Sequence, residues 1–239
     1  MKIIVFSDIH GNQYALKASL PLMQQEEAEK AVFLGDVFGY YYGQAECIKI
    51  LREMPELTCI RGNHDEMYLE LLEGKCKPEA LALRYGSSYL KCRGLDGTDE
   101  MFVRSWPDRS ELVLDGCRLG FFHGTPESPT KGRLYPDTEI VQPESYSSYD
   151  VVFLGHTHHK MRRKCGKTDV YNPGSLGQQR DGQGCSYIVF DTVNRNCDFR
   201  IVPYDMKPLL QEIKERDNDW EKLKEPLLRQ RGRWQSYGL

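Results

Sequence analysis

Five times in this chain a short apolar run stops in a turn built from glycine with aspartate, asparagine or histidine. Residues 2–6 lead into Ser7-Asp8-Ile9-His10-Gly11-Asn12. Residues 31–34 lead into Gly35-Asp36, and 57–60 into Arg61-Gly62-Asn63-His64-Asp65. Residues 119–122 lead into His123-Gly124, and 151–154 into Gly155-His156-Thr157-His158. Each run has the length of a buried strand. Polar side chains gathered past strand ends build a poor core. They do suit a ligand site, because open α/β sheets bind ligands outside the carboxyl ends of their strands.

Between these units the sequence reads as helix. One helix starts near Asn12, a plausible cap, and Pro21 is expected to end or kink it. Others are expected over 44–54 and 65–73. Residues 75–110 carry no polar-turn motif. Leu81, Tyr85, Tyr89 and Cys92 are spaced as a helical stripe, and a short helix is expected over 99–105, so this segment reads as a helical insertion. The later part changes to hairpins: 111–114 with 117–122 around Asp115-Gly116 and, after short strands near 160–165 and 168–171, 185–190 with 198–202. An amphipathic C-terminal helix over about 206–230 is expected to break at Pro226. Because the five turns must converge, all 239 residues read as a single domain.

Composition removes some partners. The net charge of −3 gives no bulk argument for nucleic acid or an anionic membrane. No apolar run approaches a membrane span, and Ser7-Asp8 cuts the first run too short for a signal peptide. The eight cysteines form no Cys-x-x-Cys pair, so reduced thiols and a cytoplasmic location are expected. A homo-oligomer stays open.

Five of the six histidines lie in the polar turns, and His159 adjoins the last of them. Asp8, His10, Asp36, Asn63, His123, His156 and His158 form a mixed set without cysteine. Such a set suits divalent Mn, Fe, Ni or Zn. Seven candidates are too many for one tetrahedral ion and enough for two ions sharing a bridge, the arrangement that clamps both oxygens of an in-line displacement at phosphorus. On an extended backbone, Asp8-x-His10 and His156-x-His158 would each send two side chains to one side.

Taken in order, these blocks resemble the calcineurin-like metallophosphoesterase superfamily, from Asp8 to His158 and on through 172–180. The resemblance implies an α/β fold: a four-layer α/β/β/α sandwich of two mixed β-sheets flanked by helices. It implies one metal at Asp8, His10, Asp36 and His158, and another at Asp36, Asn63, His123 and His156, with Asp36 bridging and Mn the expected metal. A bridging hydroxide would attack the phosphate, and His64 would assist the leaving group. The sequence Gly35-Asp36-Val37-Phe38-Gly39-Tyr40 lacks the Asp and Arg of the protein phosphatases. Together with Asn172-Pro173-Gly174-Ser175-Leu176-Gly177 it is similar to the small prokaryotic-type phosphoesterases, which often cleave phosphodiesters. A small phosphate ester is therefore the expected substrate. The alternatives are a phosphomonoesterase, a dinucleoside-polyphosphate hydrolase, or a non-enzymatic scaffold of the same fold; scaffold members tend to lose ligand histidines, and none is lost here.

Around this centre several readings stay open. His64 has an unperturbed pKa near neutrality, and Asp65 is the expected partner that orients its ring. Asn12 reads as a site residue or a helix cap. Arg61 reads as a phosphate contact or an ion pair, and Arg180 as a substrate contact or a solvated side chain. Tyr40, Tyr41 and Tyr42 read as a stacking surface or as packing.

Overall fold

The computed structural model describes residues 1–91, 95–182 and 184–229. Strands β1 (Lys2–Phe6), β2 (Lys30–Phe33) and β3 (Leu57–Cys59) run parallel. The hairpin of β9 (Ser186–Asp191) and β10 (Cys197–Ile201) extends that sheet antiparallel, in the order β10-β9-β1-β2-β3. The second sheet has β4 (Arg109–Leu114), β5 (Cys117–Phe122), β6 (Val151–Leu154), β7 (Lys160–Cys165) and β8 (Thr168–Pro173), in the order β4-β5-β6-β8-β7. Here β5, β6 and β8 are parallel and the two edge strands antiparallel. This is the α/β fold with two mixed sheets that the motifs imply.

Alternation along the strands fixes which residues face which layer. Ile3, Val5, Val32 and Leu34 of the first sheet share one buried cluster with Leu119, Phe121, Val151 and Phe153 of the second. The intervening Ile4, Phe6, Ala31 and Phe33 pack with helix residues Leu16, Ile48, Leu51 and Tyr68. Each such large apolar side chain contributes about 1.5–3 kcal/mol on burial. The helices on this face are α1 (Gln13–Gln25), α2 (Gln44–Glu53) and α3 (Asn63–Leu72). The outer face of the second sheet is covered by Leu134 and Tyr146, the latter in a 3-10 turn at Pro143–Tyr146.

Three helical expectations need correction. Helix α1 runs through Pro21 to Gln25, because Met23 beyond the proline is buried in the same cluster as Leu16 and anchors the last turn. The stripe over 81–92 is not one helix. It divides into α4 (Pro78–Tyr85) and α5 (Ser88–Lys91) at Gly86, whose φ of 86° takes the chain out of the helical region, and α6 (Gly97–Arg104) follows. Cys92 lies outside the described residues. The C-terminal break falls between α7 (Lys207–Arg216) and α8 (Trp220–Leu228), while Pro226 sits inside α8. Asp217 stands at that break, and its carboxylate accepts hydrogen bonds from Tyr42 Oη and from Ser87 N (2.8 Å for the latter).

Candidate metal centre

The polar turns meet in two adjoining groups. In the first, Asp8 Oδ1 lies 3.2 Å from His158 Nε2 and 3.7 Å from His10 Nε2, and the two histidine nitrogens are 3.0 Å apart. In the second, His123 Nε2 lies 3.2 Å from Asp36 Oδ2, 3.1 Å from Asn63 Oδ1 and 3.2 Å from His156 Nδ1. Asp36 Oδ2 is also 3.8 Å from His10 Nε2, so this one oxygen faces both groups. His156 and His158, although alternate residues, serve different groups.

The convergence does not come from extended strands. Asp8, His10, Asp36, His156 and His158 lie past their strand ends at φ of 56°, 50°, 66°, 66° and 60°. This left-handed region is uncommon for residues with a side chain, and such strain concentrates where a site requires it. Neighbouring segments brace these turns. Ser175 Oγ and Gly177 N donate to Asp8 O at 2.7 and 3.0 Å, and Asn172 Nδ2 donates to Gly155 O at 2.7 Å. Gly62 permits the approach of Asp36, since a Cβ there would fall 2.1 Å from Asp36 Oδ1.

Hydrogen bonding fixes the histidine tautomers. His10 Nδ1 donates to Phe38 O (2.7 Å), His123 Nδ1 to Leu34 O (2.8 Å) and His158 Nδ1 to Gln178 O (2.6 Å). A carbonyl only accepts, so these Nδ1 atoms carry the protons and, in the neutral ring, Nε2 presents a bare lone pair. The Nε2 atoms of His10 and His158 face each other at 3.0 Å, as two lone pairs when both rings are neutral. Asp8 Oδ1 is buried with no donor, and Asp36 Oδ2 is buried with His123 Nε2 as its neighbour at 3.2 Å. A divalent cation would satisfy these atoms, and the donor set fits a borderline metal. Burial pushes His158 down to about 3, which leaves that nitrogen bare at neutral pH. Burial also opposes charge on His123, but the adjacent Asp36 carboxylate outweighs it and holds a proton there up to about 9. Metal uptake at that group competes with this proton.

His64 lies beside the groups, with a ring nitrogen within 4.8 Å of ligand atoms on His10 and Asp36. Burial holds its pKa well below the ordinary value, so the ring is neutral, against the expectation from its free pKa. Asp65 does not orient it. The Asp65 carboxylate instead accepts from the backbone of Asp36, Val37 and Gly62, and Tyr89 Oη meets His64 Nδ1 at 2.8 Å.

The other candidates scatter. Arg61 turns away from the centre, donating to Trp106 O at 2.7 Å and pairing with Asp108. Asn12 is fully buried; it caps α1 through Ala15 N and donates to Gly177 O and Tyr204 Oη. Arg180 stays close, half-buried, donating to Tyr40 Oη (3.0 Å) and Gln178 Oε1 (2.7 Å). Of the three tyrosines, Tyr41 is core, Tyr42 binds Asp217, and Tyr40 packs edge-on against His10. Sequence reasoning missed Arg133, whose Nε donates to His156 Nε2 at 2.8 Å from an irregular loop with no periodic signal. It missed the roles of Tyr85 and Tyr89 as well, since both read only as parts of a stripe.

Two mixed sheets with an Asp/His cluster beyond their parallel strand ends define a metallophosphoesterase fold. The chain belongs to the calcineurin-like phosphoesterase superfamily: residues 1–195 match that family's domain model. It falls with the small prokaryotic-type members and is a hydrolytic phosphoesterase. It is similar to an uncharacterised protein of Methanocaldococcus jannaschii, 31% identical over 238 residues, which cover 91% of this chain and 94% of that one. It is also similar to the phosphodiesterase YfcE of Escherichia coli, at 25% identity over 203 residues covering 80% and 88% of the two chains. In fold it resembles the crystal structure of a metallophosphoesterase from Sphaerobacter thermophilus, with a TM-score of 0.74 and 23% identity, covering 95% of this chain and 98% of that one. Among the described residues no helix is long and apolar enough to cross a membrane.

Proposed function

We propose that this protein hydrolyses phosphodiesters with two divalent metal ions. Mn is the expected metal, with Fe, Ni and Zn as alternatives. One ion would be held by Asp8, His10, Asp36 and His158, the other by Asp36, Asn63, His123 and His156. The observation that carries the reading is the approach of His10 Nε2 and His158 Nε2 to 3.0 Å beside the buried Asp8 Oδ1, an oxygen without a donor. When bound, two such ions acidify a water and neutralise charge on the phosphate. The chain's own residues then divide the remaining work. Asp36, facing both groups, sets the spacing of the pair. Arg133, exposed beside His156, supplies a guanidinium for a phosphate oxygen. His64, neutral and buried, offers its N–H to the leaving oxygen as negative charge develops there. The free, mostly buried cysteines support a reducing, cytoplasmic setting.

The test is to strip the purified protein with a chelator, reload it with Mn, Ni, Zn or Mg, and assay chromogenic mono- and diesters. Activity should vanish on stripping and return on reloading, best with Mn, with two metals per chain and diesters preferred. Hydrolysis that persists in demonstrably metal-free protein would sink the two-metal reading, and a preference for monoesters would overturn the substrate class.

A further inference from the structure

His64 sits in a ring of aromatic side chains. Its ring centroid is 4.5 Å from Tyr85, 4.9 Å from His10 and 5.2 Å from Tyr40. None of these contacts chooses which ring nitrogen bears the proton. The expected orienting carboxylate, Asp65, is committed to backbone N–H groups. Residue 39 offers no side chain, and a Cβ there would fall 2.4 Å from His64 Nδ1. What reaches Nδ1 is Tyr89, from the short helix α5 in the segment between α3 and β4. Its hydroxyl has two acceptors within reach of its single proton, Nδ1 at 2.8 Å and the more distant His64 O at 3.3 Å. The Tyr89 ring is fully buried, so the phenol is fixed in place.

We propose that Tyr89 is a positioning residue for His64: its hydroxyl donates to Nδ1 and thereby leaves Nε2 as the protonated nitrogen that meets the substrate. This rests on the role of His64 given above. A neutral imidazole carries one proton, and an Nδ1 that accepts from Tyr89 forces that proton to Nε2. The assignment makes the helical segment around α5 part of the reacting centre, although it carries no metal-ligand motif. A carboxylate at this position would favour the imidazolium; an uncharged phenol adds no such bias and fixes only tautomer and orientation.

Two measurements test it. The first is the ring nitrogen NMR spectrum of the zinc-loaded protein, with His64 assigned by its loss in His64→Ala. Nδ1 should be unprotonated and hydrogen-bonded, and Nε2 protonated; in Tyr89→Phe the hydrogen-bond signature at Nδ1 should disappear. A protonated Nδ1 in the wild type, or a spectrum unmoved by Tyr89→Phe, overturns the proposal. This readout needs no substrate and no turnover.

The second is a double-mutant cycle on a nitrophenyl diester and on a 2′,3′-cyclic nucleotide, whose leaving group is an alkyl alcohol. Tyr89→Phe should lower kcat about 10-fold on the alkyl leaving group, by the loss of one oriented hydrogen bond, with less effect on the nitrophenyl ester. KM and metal content should stay unchanged. In a His64→Ala background the same substitution should cost nothing further. An equal loss in both backgrounds means that Tyr89 acts elsewhere, and the proposal fails. If His64→Ala itself leaves both rates intact, the role of His64 falls and takes this proposal with it, while the spectrum still reports separately on the bond between the two residues.

Discussion

Asp65 holds Asp36 by the backbone: its Oδ2 accepts from Asp36 N at 2.8 Å and from Gly62 N at 2.9 Å, while Oδ1 accepts from Val37 N at 2.9 Å. One carboxylate thus ties the turn after β2 to the turn after β3. Asp36 Oδ1 completes the link by accepting from His64 N at 2.8 Å, which leaves Oδ2 free to face both groups of the centre. The carboxylate next to His64 in sequence works on the scaffold of the metal site and not on the imidazole.

Asp65→Asn should therefore damage the site without touching a ligand. An amide offers one acceptor oxygen, and its NH2 group would point at backbone donors. A buried donor left unsatisfied costs about 1–3 kcal/mol. Urea melts should show a loss in that range, and metal analysis should show weakened binding at both positions. Wild-type stability with full metal content would mean that the three bonds contribute little.

Asp36→Asn should abolish turnover and reduce bound metal, because an amide does not balance two cations as a carboxylate does. Metal content and diester hydrolysis of the purified variant check this together. A variant that keeps two metals and full activity would remove Asp36 as the bridge.

Arg133→Ala should weaken recognition of the phosphate and leave the metals in place. Its guanidinium is exposed and donates through Nε to His156 Nε2, a bond the ring gives up when Nδ1 takes a metal, so the freed guanidinium can turn to phosphate. A charge-assisted contact to phosphate is worth roughly tenfold or more. The inhibition constant for inorganic phosphate should rise about tenfold, with kcat on a nitrophenyl diester little changed. Loss of metal would make Arg133 a support for His156 instead.

His64→Ala should retain both metals and lose about 10²-fold or more in kcat on an ester with an alkyl leaving group, the usual scale for a donor aimed at developing charge. The loss should be smaller for nitrophenyl leaving groups, which depart without help. Comparison of the two rates, with metal analysis alongside, checks it. An equal loss on both would assign His64 to phosphate binding.

The sequence by itself determined the strands, their polar ends and the ligand types, because these are local. A run such as Val151-Val152-Phe153-Leu154, short, rich in β-branched and aromatic residues and closed by glycine, reads as a buried strand, and the turn after it carries its chemistry in consecutive residues. The sequence also pointed, through order and family resemblance, to Asp8, His10, Asp36, His123, His156 and His158 as side chains that gather, and they do. What it did not contain was the means of convergence. Alternation on an extended backbone suggested how His156 and His158 reach one cavity; both instead stand in left-handed backbone past the strand end and enter adjoining groups of it. Contacts between distant segments were equally hidden. Tyr89 reaches His64, Arg133 reaches His156, and Ser175 braces Asp8 across 25, 23 and 167 residues of chain. No local pattern encodes such pairs, since each depends on where the sheets and loops pack. The same is true of Asp65, whose neighbour in sequence pointed to one partner while the fold, by bringing three unpaired N–H groups to its carboxylate, chose another.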